Sequence, residues 1–311
     1  MILFKALRPG LLASLLLLGG CKLVVLNPAG DIAAQQAHLV VVSTLLMLLI
    51  IVPVIVRTLL FAWRYRASNR AARYEPDWDH STSLELVIWG APLLIVIALG
   101  LLTWIGTHTL DPYRPLRRQD ALRPFQSPQD PLEVDVVALD WKWLFIYPEQ
   151  GIATVNEVAA PVDRPIRFRI TAASVMNAFY VPALAGMIYA MPGMETRLNA
   201  IINHPGDYQG LSANYSGAGF SDMHFVFRGM GEGDFAQWVA TARASTASLQ
   251  RADYLQLERP SKRDPVRLYA TVAPDLYDAI LNRCVDASQA CLGQMNMSSA
   301  AGHPILNASL P

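Results

Sequence analysis

LVVVSTLLMLLIIVPVIV (residues 39–56) and LVIWGAPLLIVIALGLLTWIGT (residues 86–107) are two uncharged apolar runs that set the plan of the chain. A helix needs about 20 apolar residues to cross a bilayer, so each run predicts a membrane span. Between them stand Arg64, Arg66, Arg70 and Arg73, the mark of a polar turn. After Thr107 the pattern changes to polar and alternating for the remaining two thirds of the chain. The expected plan is a membrane α-helical hairpin over 38–110, with its loop at 64–83, carrying a folded domain.

Composition narrows the function classes. The 311 residues hold 25 basic and 25 acidic side chains, so no net charge draws the chain to nucleic acid. Hydrophobic residues make up 53%, concentrated in the first third as in a membrane-attached protein. The three cysteines are Cys21, Cys284 and Cys291, and no CxxC occurs. Zinc ribbons and thioredoxin-type redox chemistry are thereby excluded. Residues 1–20 combine Lys5 and Arg8, an apolar core at 11–18 and Gly19-Gly20 before Cys21. That order reads as a signal peptide. Its ending is similar to a bacterial lipobox, which predicts lipid on Cys21 and an external segment over 21–37.

An external start orients the hairpin. The first span must enter, the arginine loop must lie inside, and the second span must return, as the positive-inside rule also asks. Arg114, Arg117 and Arg118 follow the second span, but long domains are exported largely regardless of charge. Glu85 opens the second span at the cytoplasmic edge. Its ordinary reading is an interfacial charge facing water; its functional reading is the mouth of a proton path into a neighbour. His38 and His108 fall at one outer level of the hairpin, which is thin ground for a metal without further ligands.

The exported part reads as strands. Leu132-Glu-Val134-Asp-Val136 and Ile166-Arg-Phe168-Arg-Ile170 alternate with period two, as half-buried strands do. Turn signals recur at 147–151, 161–165, Pro192-Gly193 and 204–206. Short punctuated strands predict an antiparallel sandwich within 111–230. Helical spacing returns with Phe235, Trp238 and Val239, then with Leu276, Tyr277, Ile280 and Leu281. The expectation for 231–311 is a helical extension.

Longer motifs carry a resemblance. WKWLFIYPEQGIATVNE (141–157), VMNAFYVP (175–182), MPGMETRL (191–198) and NYSGAGFSDMHF (214–225) resemble subunit 2 of haem–copper terminal oxidases, with wording nearest the cytochrome o (bo-type) ubiquinol oxidase branch. The resemblance runs from the lipobox to about residue 285. It implies an all-β, cupredoxin-like sandwich after the hairpin. In the cytochrome c branch such a domain holds two coppers through soft thiolates, histidines and a methionine. Here Asn177 stands at the first histidine place, Tyr215 and Gly219 at the cysteine places, Met223 at the second histidine place and Val226 at the methionine place. His224 is one residue out of frame. The implied copper site is therefore lost, and Trp141 and Trp143 become packing or subunit-contact residues.

The resemblance further implies a non-redox subunit of a proton-pumping ubiquinol oxidase, with no catalytic centre and no cofactor of its own. Haems, copper and ubiquinol are expected in a partner subunit 1, with small subunits 3 and 4 beside it and no cytochrome c docking. The place is the bacterial inner membrane, with the domain in the periplasm. Glu85 aligns with a glutamate at a proton-channel entrance. Competing readings are a menaquinol oxidase subunit 2, a cytochrome c oxidase subunit 2 with a degenerate copper site, and a stand-alone envelope lipoprotein. In the tail, Cys284 and Cys291 would stand about 10 Å apart on one helix, so a disulfide needs the helix to break near 286–289. Met295, Met297 and His303 read as a polar terminus rather than a metal cluster.

Overall fold

A computed structural model of the chain describes residues 23–73, 75–125, 129–286, 288 and 290–292. Cys21, Met295, Met297 and His303 lie outside these residues. Two long helices span Asp31–Arg64 and Thr82–Thr109. Both present wholly unburied apolar segments, with mean hydropathies of 3.1 and 2.5. Backbone groups in a bilayer must be satisfied within the segment, and a helix does this. The first helix starts at Asp31, inside the stretch expected to be an external segment up to residue 37. Its first turns bury Asp31, Ala33 and Ala37 against protein, so packing rather than lipid extends it.

Among the described residues, eleven strands form two facing sheets, and two short ones pair separately. They are β1 (Leu132–Leu139), β2 (Lys142–Tyr147), β3 (Ile152–Val155), β4 (Glu157–Pro161), β5 (Pro165–Ala172), β6 (Asn177–Tyr180), β7 (Ile188–Ala190), β8 (Thr196–Ile201), β9 (Gly206–Ser212), β10 (His224–Met230), β11 (Ser248–Leu249), β12 (Arg267–Tyr269) and β13 (Thr271–Val272). One sheet runs β12-β3-β2-β1-β5-β8, the other β4-β10-β9-β6-β7. The sandwich is mixed, not antiparallel throughout: β1 pairs β5 in parallel, and β10 pairs β4 in parallel. Parallel neighbours need crossovers, which the chain makes by switching sheets between them.

The period-two pattern decides which side chains meet. Trp143, Phe145 and Tyr147 face the central core, where Phe179 and Phe225 stack 5.3 Å apart. Leu144 and Ile146, on the opposite face of β2, join Tyr254, Leu276 and Ile280 in a second core. The last third is thus not simply a helical extension. Helices Glu232–Arg243, Arg251–Leu257 and Leu276–Leu281 are present, but β12 completes the six-stranded sheet and covers its edge. This second layer explains why β1 is buried on both sides rather than half-exposed.

The second layer also encloses a charged cluster. Asp135 is 2% exposed and sits 3.5 Å from Arg169, its register partner on β5. Arg169 further reaches Glu195 at 3.0 Å and Asp278 at 3.5 Å, and lies over the Tyr277 ring at 4.6 Å. Burial, helped by Glu133, Glu195 and Asp278, pushes the Asp135 carboxyl up to about 7 against the pull of Arg169. A raised carboxyl pKa gives stability that is complete below the usual carboxylate range and is lost as pH rises through about 7. Asp135→Asn cannot ionise. Its thermal midpoint in the full-length protein should exceed wild type at pH 8, by on the order of 2 kcal/mol in stability, and converge with it near pH 4. A pH-independent difference would count against this account.

The last helix ends at Leu281, and Arg283 takes a left-handed φ of 55°. Freed from helical spacing, Cys284 and Cys291 pair as a disulfide with Cα atoms 4.8 Å apart. Closing so short a loop contributes about 2 kcal/mol. Cys291→Ser should lower the thermal midpoint, and reductant should lower wild type equally; intact free thiols in the exported protein would disprove the pairing.

Candidate functional site

The loop at which copper ligands were sought connects β9 to β10 and is built around a tryptophan. Trp141 occupies the β1–β2 turn with φ 65°, an uncommon conformation for a bulky residue. Its indole N–H donates to the Ser216 carbonyl at 3.1 Å. The ring lies on Gly217 and Gly219. A Cβ on Gly219 would stand 2.4 Å from Trp141 Cδ2, and one on Gly217 would stand 3.3 Å from Cζ2. Gly217, at φ +112°, also needs its conformational freedom. The second cysteine place is therefore filled by an indole.

The other places are no better suited to copper. Asn177 is buried; its Oδ1 accepts from Ser212 Oγ at 3.1 Å, and its Nδ2 donates to the Val175 carbonyl at 3.1 Å. Tyr215 is 75% exposed and meets the Phe220 ring edge-on at 5.6 Å. Met223 is buried in the central core. Val226 alternates with buried Phe225 and Phe227, and so sits on the other face of β10. His224 is exposed and hydrogen-bonds the Ser221 carbonyl at 2.8 Å, turned away from the core. An amide, a phenol, a thioether and an isopropyl group offer no thiolate to hold copper, so this donor set does not fit the two-copper centre of the cytochrome c branch. Among the described residues, no group of three or more His, Cys, Asp or Glu is placed to hold a metal ion.

Trp143, by contrast, is wholly buried, edge-on to Phe179 at 5.5 Å and to Phe225 at 5.6 Å. Lys142 between the two tryptophans faces the opposite side and is 1% exposed. Its ammonium donates to the Arg259 carbonyl at 2.8 Å and to Ser261, and pairs with Asp264 at 3.3 Å. Its alternation with the tryptophans was the only sequence signal of this role.

A second site lies at the inner end of the hairpin. Glu85 stands in the first turn of the second helix, where the helix dipole favours a carboxylate. Its Oε1 lies 2.8 Å from His80 Nδ1, and His80 Nε2 lies 3.3 Å from Thr82 Oγ1. Both partners are more than half exposed. They stand five positions apart, His80 before the helix and Glu85 in its first turn, a spacing that by itself gave no hint of the contact. At the outer end, His108 is held by the Trp104 carbonyl at 2.8 Å, whereas His38 borders a cavity.

A cupredoxin-like sandwich with no thiolate in its β9–β10 loop, following a pair of apolar helices, defines a subunit II-type oxidase component. Comparison agrees. Residues 132–230 match the family "Cytochrome C oxidase subunit II, periplasmic domain", and residues 243–288 match "COX Aromatic Rich Motif". The chain is 49% identical over 269 residues to the cytochrome bo(3) ubiquinol oxidase subunit 2 of Pseudomonas putida, covering 86% of this chain and 83% of that one. It is 45% identical over 309 residues to the ubiquinol oxidase subunit 2 of Acetobacter aceti, covering 95% and 98%. The solved periplasmic domain of subunit II of cytochrome oxidase from Bradyrhizobium japonicum is 26% identical, covers 37% of this chain and 94% of its own, and has a TM-score of 0.35. The chain belongs to the ubiquinol oxidase subunit 2 family of haem–copper oxidases.

The Trp141–glycine contact is testable by a double-mutant cycle. Gly219→Ala should cost about 1–3 kcal/mol of thermal stability in wild type, and far less when Trp141 is already alanine. Additive costs would mean that the two positions do not touch.

Proposed function

We propose that this chain serves as the non-redox second subunit of a proton-pumping ubiquinol oxidase in the bacterial inner membrane. Subunit 1 would hold the haems, copper and quinol, oxidise ubiquinol and reduce dioxygen to water; small subunits 3 and 4 would complete the complex. This chain would cap subunit 1 on the periplasmic side and offer Glu85 on the cytoplasmic side. Lipid on Cys21 would add a further anchor, beyond the two helices. The observation that carries the reading is the Trp141 indole seated on Gly217 and Gly219, with no thiolate in the loop. Without that metal centre, electrons from a soluble cytochrome have no landing point here, and a membrane-soluble donor must deliver them elsewhere.

Glu85 is suited to a proton entrance by its place. It lies where the polar loop meets the apolar helix, with His80 Nδ1 2.8 Å from its carboxylate. In the purified complex, Glu85→Ala should slow ubiquinol oxidation several-fold with haem content and subunit composition unchanged. His80→Ala should slow it less. Wild-type turnover in Glu85→Ala would remove the proton-entrance role, and oxidation of reduced cytochrome c by the complex would remove the quinol reading.

A further inference from the structure

The outer ends of the two membrane helices diverge around a cavity of about 390 Å³, within the range of about 300–1,000 Å³ typical of small-molecule sites. The helices touch where Gly106 meets Leu39, since a Cβ there would stand 2.6 Å from the leucine side chain. Leu39, Leu102 and Ile105 give the cavity apolar walls, and Asp31 and Arg118 lie at its polar end. Asp31 is 4% exposed. It accepts from Gln35 Nε2 at 2.8 Å and from Arg118 Nε at 3.0 Å. The guanidinium is thus fixed through Nε, while its two terminal nitrogens have no hydrogen-bond acceptor among the described residues. The linker from Asp111 to Arg123 carries Arg114, Arg117, Arg118 and Arg123 against Asp111 and Asp120, an excess of positive charge where the chain leaves the membrane.

We propose that this cavity binds a membrane phospholipid, its phosphate on the Arg118 fork and one acyl chain along Leu39, Leu102 and Ile105. A fixed planar guanidinium suits bidentate phosphate, and basic pockets between membrane helices suit anionic headgroups. A neutral quinol head gains less from that charge than a phosphate does. A lipid attached to Cys21 brings no phosphate. The inference goes beyond the proposed function and requires only that the hairpin stands in a bilayer.

Native mass spectrometry of the intact complex, purified in mild detergent with headgroup analysis of retained lipid, tests it. Arg118→Gln removes the fork, and Leu102→Trp fills the groove without touching the charges. Each should retain roughly one phospholipid fewer per complex than wild type, with haem content and subunits unchanged. Where Arg118→Gln does not assemble, Leu102→Trp carries the test alone. Equal phospholipid in wild type and Leu102→Trp, loss of a quinone instead, or loss of the same species in Cys21→Ser would each overturn the proposal.

Discussion

A main-chain seam fixes the hairpin to the sandwich, and the geometry of both sites follows from it. Ala29 and Gly30 donate to the Ala183 carbonyl, Ala33 donates to Leu184, and Asn203 donates back to Ala29. A Cβ on Gly30 would stand 2.3 Å from the Ile201 carbonyl oxygen, so no larger residue allows this approach. From the other helix, Asn199 binds the Pro112 carbonyl through both its backbone and its side-chain amide. Backbone bonds of this kind leave little freedom of tilt. The domain therefore stays over the outer end of the hairpin while Glu85 is held at the inner end.

The loop between β9 and β10 is held by packing and hydrogen bonds. Thiolates that grip a metal also cross-link the loop that carries them. With Tyr215 and Gly219 in their places, cohesion must come from packing. The Trp141 ring, the Ser212–Asn177 hydrogen bond and the buried Met223 supply it. The same indole meets Lys262 at 5.8 Å, linking the loop to the C-terminal segment that Lys142 anchors from below. The loop and the C-terminal segment thus share one support.

Much of the site was legible because the relevant signals are local. That the β9–β10 loop offers no thiolate could be read from the absence of cysteine between Cys21 and Cys284. Trp143 could be placed in the core from its alternation within β2. The His80–Glu85 pair, the fit of Trp141 on its glycines and the Asp135–Arg169 cluster were not legible. Each joins residues whose approach depends on where a turn or a second layer puts them. Asp135 looked like the solvent side of a half-buried strand, and only the Tyr277 helix packed on that face turned it inward.

By itself the sequence determined the hairpin, the sandwich and the missing ligands. Apolar length, period two and residue type are properties of short stretches, and water or lipid imposes them wherever the stretch sits. Tertiary structure alone decided the parallel pairing of β1 with β5, the second core beneath the six-stranded sheet, the early start of the first helix and the cavity between the helix ends. These depend on contacts between residues tens of positions apart, whose free energies are set by packing that no local pattern records.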